Sequence, residues 1–206
     1  MRTAIVGGGA AGFFLAINLK EMCPQMEVTI FEKSKKVLAK VEISGGGRCN
    51  CTNSFASVRD LSQVYPRGHR LMKRLFKTFD YRDAYAWFER HGVRLVTQDD
   101  DCVFPASQDS HTIINLFLAE ARRHAITIRT ESKIESLDQL DDYDFIAITT
   151  GGAQLGTVLF CARTNPPQRL AQKRTVPNCA SPVVRPKLCY KCTFYTSIFY
   201  PLVRVG

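Results

Sequence analysis

Three glycines near the amino terminus have a spacing that is typical of phosphate-binding loops. They form the pattern Gly7-x-Gly9-x-x-Gly12. An apolar stretch at 3–6 precedes them and a helical pattern follows. In such a strand–turn–helix unit the first glycine permits a tight turn, the second lets the backbone approach a pyrophosphate, and the third lets the helix pack closely on the strand. Glu32 ends the next apolar stretch, where a carboxylate accepts hydrogen bonds from a ribose and disfavours a 2′-phosphate. The pattern predicts a dinucleotide-binding unit.

A second glycine triplet lies in residues 44–53, which read Ser-Gly-Gly-Gly-Arg-Cys-Asn-Cys-Thr-Asn. Successive glycine N–H groups form an anion-binding concavity, and a guanidinium pairs bidentately with phosphate oxygens. An NAD domain needs only one such cradle, whereas FAD, extended from adenine to isoalloxazine, has use for a second. The first loop and Glu32 suit either cofactor, and the second loop favours FAD.

Hydrophobic periodicity predicts the elements that must position these residues. A strand at 3–6, a helix at 10–22 and a strand at 27–31 form a βαβ unit, so its strands should be parallel. Residues 32–57 lack periodicity and predict a long functional loop. The remaining predicted elements are helices at 68–79 and 81–91, a hairpin of strands 93–97 and 102–104, a helix capped by Asp109 or Ser110 and ending at 124, and strands at 126–129 and 144–149.

These elements predict an α/β fold, a Rossmann-like FAD/NAD(P)-binding domain over residues 1–153 with a helical and hairpin insertion at about 57–107. Residues 1–150 carry 20 Lys and Arg against 19 Asp and Glu, whereas residues 151–206 carry 8 and none. Prolines also interrupt helix and strand patterns in this last part. We therefore expect residues 154–206 to be an atypical basic tail, poorly ordered, either frameshifted sequence or a genuine basic module.

The cysteines are expected to be thiols. The sequence shows no transmembrane run and no signal peptide, which predicts a cytoplasmic, reducing location. A zinc site with four thiolate ligands would need both Cys49-x-Cys51 and Cys189-x-x-Cys192. The first spacing is unusual for zinc, and no metal is expected. Cys49, beside an arginine and a glycine turn, is either a thiol of lowered pKa or a small buried thiol, and we favour the buried thiol.

Other polar residues favour structural roles. A capping or surface role is expected for His91 and His111. A run of basic residues on a predicted helix is typical of a solvated face, and no nucleic-acid partner is expected from it. That run consists of Arg67, His69, Arg70, Lys73, Arg74 and Lys77.

Five blocks of the sequence, in this order, resemble a known family. They are 6–12 (VGGGAAG), 31–33 (FEK), 43–50 (ISGGGRCN) followed by Thr52-Asn53, 104–107 (FPAS) and 149–152 (TTGG). The set is similar to the HI0933-type flavoproteins, also described as the aminoacetone-oxidase or BaiN-like family of FAD-dependent oxidoreductases. The resemblance covers about residues 1–153, and the glycine–arginine–cysteine block is highly specific to it.

The resemblance implies that FAD lies on the Rossmann domain. It places the first glycines at the pyrophosphate, Glu32 at the adenosine ribose, and residues 150–152 at a second dinucleotide contact. Family members continue past Gly152 into a substrate-side domain, so we expect this chain to be a truncated, N-terminal part, and no catalytic residue is identified. The implied cofactor site consists of Gly7, Gly9, Ala10, Ala11, Gly12, Glu32, Lys33, Lys40, Gly45, Gly46, Gly47, Arg48, Cys49, Asn50, Thr150, Gly151 and Gly152.

The sequence therefore favours an FAD-binding oxidoreductase, or its cofactor-binding half, that transfers a hydride or electrons through the flavin. A small molecule is the expected substrate and NAD(P)H a candidate electron donor. Two alternatives remain at this point. One is an NAD-binding dehydrogenase or regulatory Rossmann module, and the other is a protein that binds nucleic acid through its basic tail.

Overall fold

The computed structural model describes residues 1–150 and the backbone of residues 159–162. Its described helices and strands follow one another along the chain as β1 Arg2–Val6, α1 Ala10–Met22, β2 Glu27–Phe31, α2 Ala39–Ile43, β3 Thr52–Asn53, α3 Leu61–Val64, α4 His69–Leu75, α5 Tyr81–Arg90, β4 Leu95–Thr97, β5 Cys102–Pro105, α6 Ser110–Arg123, β6 Thr127–Arg129, β7 Phe145–Ile148 and β8 Leu159–Ala162. Short 3₁₀ turns occur at Ser44–Gly47 and Leu137–Leu140.

The main sheet has the strand order β6-β2-β1-β7-β8. Strand β1 pairs in parallel with β2 and with β7, and β2 pairs in parallel with β6. The chain thus leaves β1 towards one side of the sheet and returns through β7 on the other. The crevice at the carboxyl ends of β1 and β7 is the topological switch point, where ligands of open α/β sheets bind.

Helix α1 is buried on nearly every side, which explains why its apolar residues are not confined to one stripe. The Phe13 ring packs against Phe117 of α6, and the Phe14 ring packs against Phe79 and Trp87 of the insertion. The insertion is therefore fused to the core of the domain through α1. None of the helices in the described residues is long and apolar enough to cross a membrane.

Several predicted elements are confirmed. The βαβ unit is present with parallel strands, and the hairpin is present as β4 and β5. Asp80 and Asp83 form a capping box at the start of α5, and Gly92, at a φ of 82°, follows its end. The Asp109 carboxylate accepts a hydrogen bond from the backbone N–H of His111 and so caps α6.

The structure corrects the predicted long loop at 32–57 and the predicted helix at 68–79. The first contains α2, a 3₁₀ turn and β3, which adds a third strand to the small antiparallel sheet β3-β5-β4. The second is shorter, because α4 ends at Leu75 and a turn follows it. Both errors come from short elements, which offer too few residues for a periodic pattern.

Strand β8 was not predicted. Leu159–Ala162 pairs in antiparallel fashion with β7, so at these residues the segment expected to be a poorly ordered tail forms the edge of the main sheet. The other expectations about the tail, at 154–158 and 163–206, lie outside the described residues.

Candidate functional site

Two glycines hold the first loop against the carboxyl end of β7. A Cβ on Gly12 would lie only 2.1 Å from the Gly7 carbonyl oxygen, and Gly7 itself has a φ of +118°. A Cβ on Gly7 would lie 2.9 Å from Oγ1 of Thr149. That Thr149 hydroxyl lies 2.9 Å from the Gly7 carbonyl and 3.0 Å from the Val6 carbonyl, and it donates to one of the two. These glycines are therefore required by the fold.

Gly9 differs from its neighbours because the space beside it is open. No heavy atom of the described residues lies within 4 Å of the position that its Cβ would occupy. It is the N-cap of α1, and no acidic residue occupies the first turn of that helix. The free N–H groups of residues 10–12 and the positive end of the helix dipole therefore face open space, and such a site attracts an anionic group.

Glu32 ties this loop to the sheet. Its Oε2 accepts a hydrogen bond from the Gly8 N–H at 2.8 Å, and its Oε1 accepts one from the Ser34 N–H at 2.9 Å. Partial burial raises the pKa of Glu32, but the hydrogen bonds from Ser34 and Gly8, with the charge of Lys33, outweigh burial and leave the pKa below its ordinary value. The carboxylate is thus charged, and it can accept a further hydrogen bond beside those from Gly8 and Ser34.

The second glycine turn is joined to the first through α2. The Leu38 N–H, at the start of α2, donates to the Gly8 carbonyl at 2.8 Å. Gly45 and Gly46 at the other end have left-handed φ values of 55° and 65°. A Cβ on Gly45 would lie 2.8 Å from the backbone nitrogen of Asn50. Beside Gly46 and Gly47, in contrast, the described residues leave open space. The second turn thus presents open backbone, as the first does at Gly9.

Arg48 clamps the second turn onto the hairpin. Its guanidinium lies 4.1 Å from the centroid of the Phe104 ring, and its nitrogens donate to the Gly45 carbonyl, to Gln98 and to Gln108 at 3.2–3.4 Å. All of these partners are neutral, so they leave its positive charge available to an anion beside the turn.

Asn50 supplies a buried acceptor with no partner. Its Oδ1 is buried and makes no hydrogen bond within the described residues. An unpaired buried carbonyl costs free energy, and a ligand donor would relieve that cost. Together with the open backbone at Gly9, Gly46 and Gly47, this atom shows that the residues present fit an extended dinucleotide.

Cys49 and Cys51 are fully buried free thiols in the main hydrophobic cluster. A hydrogen bond from Cys51 lowers the pKa of Cys49; burial opposes that effect and Ser44 adds to it. Burial raises the pKa of Cys51 well above its ordinary value. Cys49 is therefore buried, as the favoured interpretation expected, and its pKa is lowered, as the alternative expected. Its N–H donates to the Ser44 carbonyl at 3.0 Å.

The remaining implied residues are exposed or lie outside the described part. Lys33 and Lys40 are exposed. Thr150 follows the buried Thr149 past the carboxyl end of β7 and is exposed. Gly151 and Gly152 lie outside the described residues.

The histidines have partners that the sequence did not indicate. His91 Nδ1 lies 2.7 Å from the Trp87 carbonyl, which agrees with the expected capping role, and its Nε2 lies 2.8 Å from Oε1 of Glu21. His111 Nδ1 lies 2.9 Å from Oδ1 of Asp109. Sequence analysis also missed Thr149 and the Gly8–Glu32 hydrogen bond. For Thr149 the sequence signals are its position at the end of an apolar strand and its place as the first residue of the 149–152 block.

The parallel sheet, the switch point and the glycine loop at the start of α1 define a Rossmann-type nucleotide-binding domain. The chain belongs to the HI0933-like family, because the model of the HI0933-like protein Rossmann domain matches residues 1–162. The match extends past residue 153, where the recognised motifs end, and it includes β8.

Two curated relatives are similar over the same part of the chain. The 3-dehydro-bile acid delta(4,6)-reductase of Clostridium scindens is 27% identical over 136 residues, which cover 66% of this chain and 32% of that protein. The ribosomal RNA dihydrouridine synthase of Haemophilus influenzae is 24% identical over 138 residues, which cover 67% and 33%. The chain thus spans about a third of the length of these relatives.

Among solved structures, the Sdh1 complex of Mycobacterium smegmatis in the apo form superposes on 63% of this chain and 28% of its own chain, at 14% identity and a TM-score of 0.44.

Proposed function

We propose that this chain is the FAD-binding part of a flavoprotein oxidoreductase. The observation that carries the proposal is the second open glycine turn at Gly46 and Gly47, with the unpaired Oδ1 of Asn50 beside it. A nucleotide held only by the first loop would leave this turn without a role. FAD is long enough to use both.

Each group of residues has a role in holding that cofactor. Gly9 and the N-terminus of α1 would hold the pyrophosphate, and the Glu32 carboxylate would accept hydrogen bonds from the adenosine ribose. Gly46, Gly47 and Asn50 would hold the other half of the molecule, with the charge of Arg48 close by. When bound, a flavin supplies hydride and electron transfer, and the protein supplies its orientation and electrostatic environment.

The relatives support the oxidoreductase class and differ in substrate. One is named as a reductase of a bile-acid derivative, and the other is named for dihydrouridine, a reduced nucleoside. We propose that this chain takes part in a reduction of the same kind, with NAD(P)H as electron donor, on a substrate held by residues beyond the cofactor domain.

Affinities for FAD and for ADP-ribose test the proposal. ADP-ribose offers the adenosine, the pyrophosphate and one further ribose, so it reaches only the first loop. The full-length apoprotein should bind FAD more tightly than ADP-ribose, and the purified complex should be yellow. Asn50→Ala should weaken FAD binding by roughly 2- to 12-fold, as for loss of one ordinary hydrogen bond, and leave ADP-ribose unaffected.

Equal affinity for the two ligands, with no effect of Asn50→Ala, would favour the alternative of an NAD-binding module. In that case NADH should bind and the purified protein should be colourless.

A further inference from the structure

A histidine and two glutamates converge at the end of α1 that lies away from the glycine loop. Glu21 lies in the last turn of α1, His91 follows the end of α5, and Glu120 lies in the last turn of α6. One ligand atom of each residue, an imidazole nitrogen or a carboxylate oxygen, lies within 4.8 Å of the other two. These three residues are called the His–Glu cluster below.

The surroundings of His91 determine which of its ring nitrogens carries a hydrogen. Nδ1 lies 2.7 Å from the Trp87 carbonyl, and a carbonyl only accepts, so Nδ1 is the donor. In a neutral imidazole Nε2 is then an acceptor, yet it lies 2.8 Å from Oε1 of Glu21, which is an acceptor as well. Two acceptors at this distance require either a second proton on the imidazole or a cation bound to both.

The imidazole of His91 is held in the way that is typical of metal-binding histidines. Its ring stacks on the Trp87 ring, with centroids 4.1 Å apart, and only 3% of its side chain is exposed. Histidine ligands usually donate their other ring N–H to a carbonyl or a carboxylate, which fixes the ring and makes the free nitrogen more basic. The Trp87 carbonyl is that partner here, so Nε2 is oriented towards the two glutamates before any metal binds.

The two carboxylates connect this buried ring to the surface. The Glu120 side chain is 13% exposed and the Glu21 side chain 30%, so an ion can enter from solvent. Arg123 donates to Oε2 of Glu120 at 3.0 Å, which leaves Oε1 available to a metal. One guanidinium does not neutralise two carboxylates, so the His–Glu cluster still attracts a cation.

The types and spacing of these ligands favour zinc. Calcium and magnesium prefer oxygen ligands, whereas zinc takes imidazole nitrogen together with carboxylate oxygen. Bonds of about 2.0–2.2 Å in a tetrahedral zinc site put ligand atoms roughly 3.3–3.6 Å apart. The contact between His91 and Glu21 would therefore open by roughly 0.5–0.8 Å, and no other separation would close by more than about 1.5 Å. Rotation of the solvent-accessible glutamate side chains can supply movements of this size.

We propose that Glu21, His91 and Glu120 bind a zinc ion, which joins α1, α5 and α6. His124 lies one turn after Glu120, and its Nε2 lies 3.5 Å from Oε2 of Glu120, so it can approach the ion as a fourth ligand. Such a site has a structural role, because it ties the insertion that contains α5 to the two helices of the core.

The His–Glu cluster is distant from the glycine loop. Gly9 and Glu21 lie at opposite ends of α1, and a rise of 1.5 Å per residue separates them by roughly 18 Å. The inference therefore goes beyond the proposed function and does not depend on flavin binding. The sequence alone predicts no metal here, since the ligands come from three separate segments that only the fold brings together.

Zinc-dependent thermal unfolding of the full-length protein tests the site. At about pH 8 protons compete little with zinc for imidazole. At a free zinc concentration about 100 times the Kd, the Tm should rise by roughly 5–10 °C. Glu21→Gln should weaken zinc binding by about tenfold or more, and so remove at least about half of this rise.

Two comparisons separate the metal site from an ordinary ion pair. The amide that Glu21→Gln introduces can donate to Nε2 of His91, so the Tm without zinc should be unchanged or higher. An ion pair alone would predict a lower Tm without zinc. The matched control is Glu89→Gln, which replaces an exposed glutamate of α5 outside the His–Glu cluster and should keep the full zinc-dependent rise.

Thiols elsewhere in the chain can also bind zinc, so cobalt(II) is used to identify the ligands. Cobalt(II) bound by nitrogen and oxygen gives weak visible bands, whereas thiolate ligands add intense charge-transfer absorption in the near ultraviolet. The spectrum of the cobalt-loaded parent minus that of Glu120→Gln should contain the weak bands without the charge-transfer absorption.

Three results would overturn the proposal. The first is an equal zinc-dependent change in Tm, or no change, in the parent and in Glu21→Gln. The second is an equal loss of the rise in Glu21→Gln and Glu89→Gln, which would mean diffuse attraction of zinc by acidic residues. The third is a cobalt difference spectrum that is flat or shows thiolate absorption.

Discussion

We expect Gly9→Ala to separate the requirements of the ligand from those of the fold. Gly9 has a φ of −91° and a ψ of −176°, which alanine adopts readily. No heavy atom of residues 1–150 lies within 4 Å of the position that its Cβ would occupy. The free protein should therefore accept the methyl group. The same methyl group would lie where a pyrophosphate must approach the start of α1.

Two small and opposing contributions determine the expected change in the free energy of unfolding. Alanine is a poorer N-cap than glycine by about 0.5 kcal/mol, whereas removing a glycine from the unfolded chain stabilises the fold by about 0.4–1 kcal/mol. The free energy of unfolding should thus change by less than about 0.5 kcal/mol. FAD affinity, in contrast, should fall at least tenfold, which corresponds to about 1.4 kcal/mol.

Urea unfolding and titration of the apoprotein with FAD measure the two quantities. Gly68→Ala is a matched control, because Gly68 is also a helix N-cap with open space beside it, at the start of α4. That variant should bind FAD normally. Unchanged FAD affinity in Gly9→Ala, or an equal loss in both variants, would refute the assignment of the phosphate site.

Four other substitutions have definite expected outcomes. Gly12→Ala should lower the free energy of unfolding in urea by about 3 kcal/mol or more, because its Cβ would overlap the Gly7 carbonyl. Glu32→Ala should weaken FAD binding in titration by roughly 10- to 150-fold through loss of charged hydrogen bonds. The lowered pKa of Glu32 means that its stabilising effect is present at neutral pH and is lost as the pH falls through the folded-state pKa, below 4.5, so Glu32→Gln should flatten the acid limb of a stability–pH curve. Asp80→Ala should remove the cap of α5 and cost about 1 kcal/mol in urea unfolding, with flavin binding unchanged.

Local patterns were sufficient to predict the βαβ unit and the capped helices. The first glycine loop is specified within residues 7–12, and α5 is specified by Asp80 before it and Gly92 after it. Such signals involve residues close together in the sequence, so they can be recognised without knowledge of the tertiary structure. The position of the first loop at the switch point depends also on the pairing of β1 with β7, which only the structure shows.

Long-range contacts could not be predicted in the same way. Leu38, which precedes helix α2, has a left-handed backbone conformation. The helix itself has only five residues, which are too few to show a periodic pattern. The Gly8–Glu32 hydrogen bond spans 24 residues. Strand β8 lies where composition indicated a tail, and its pairing with β7 depends on a partner outside its own segment.

Glu32 and Leu38 hold the first glycine loop in shape before any nucleotide arrives, since one accepts from the Gly8 N–H and the other donates to the Gly8 carbonyl. Fixing a flexible residue costs about 1–2 kcal/mol, so a ligand that had to order this loop would lose that amount for each residue. A preorganised loop spares the ligand this entropy. The nucleotide should meet a rigid receptor, and amide exchange at Gly8 should be about as slow in the apoprotein as in the complex.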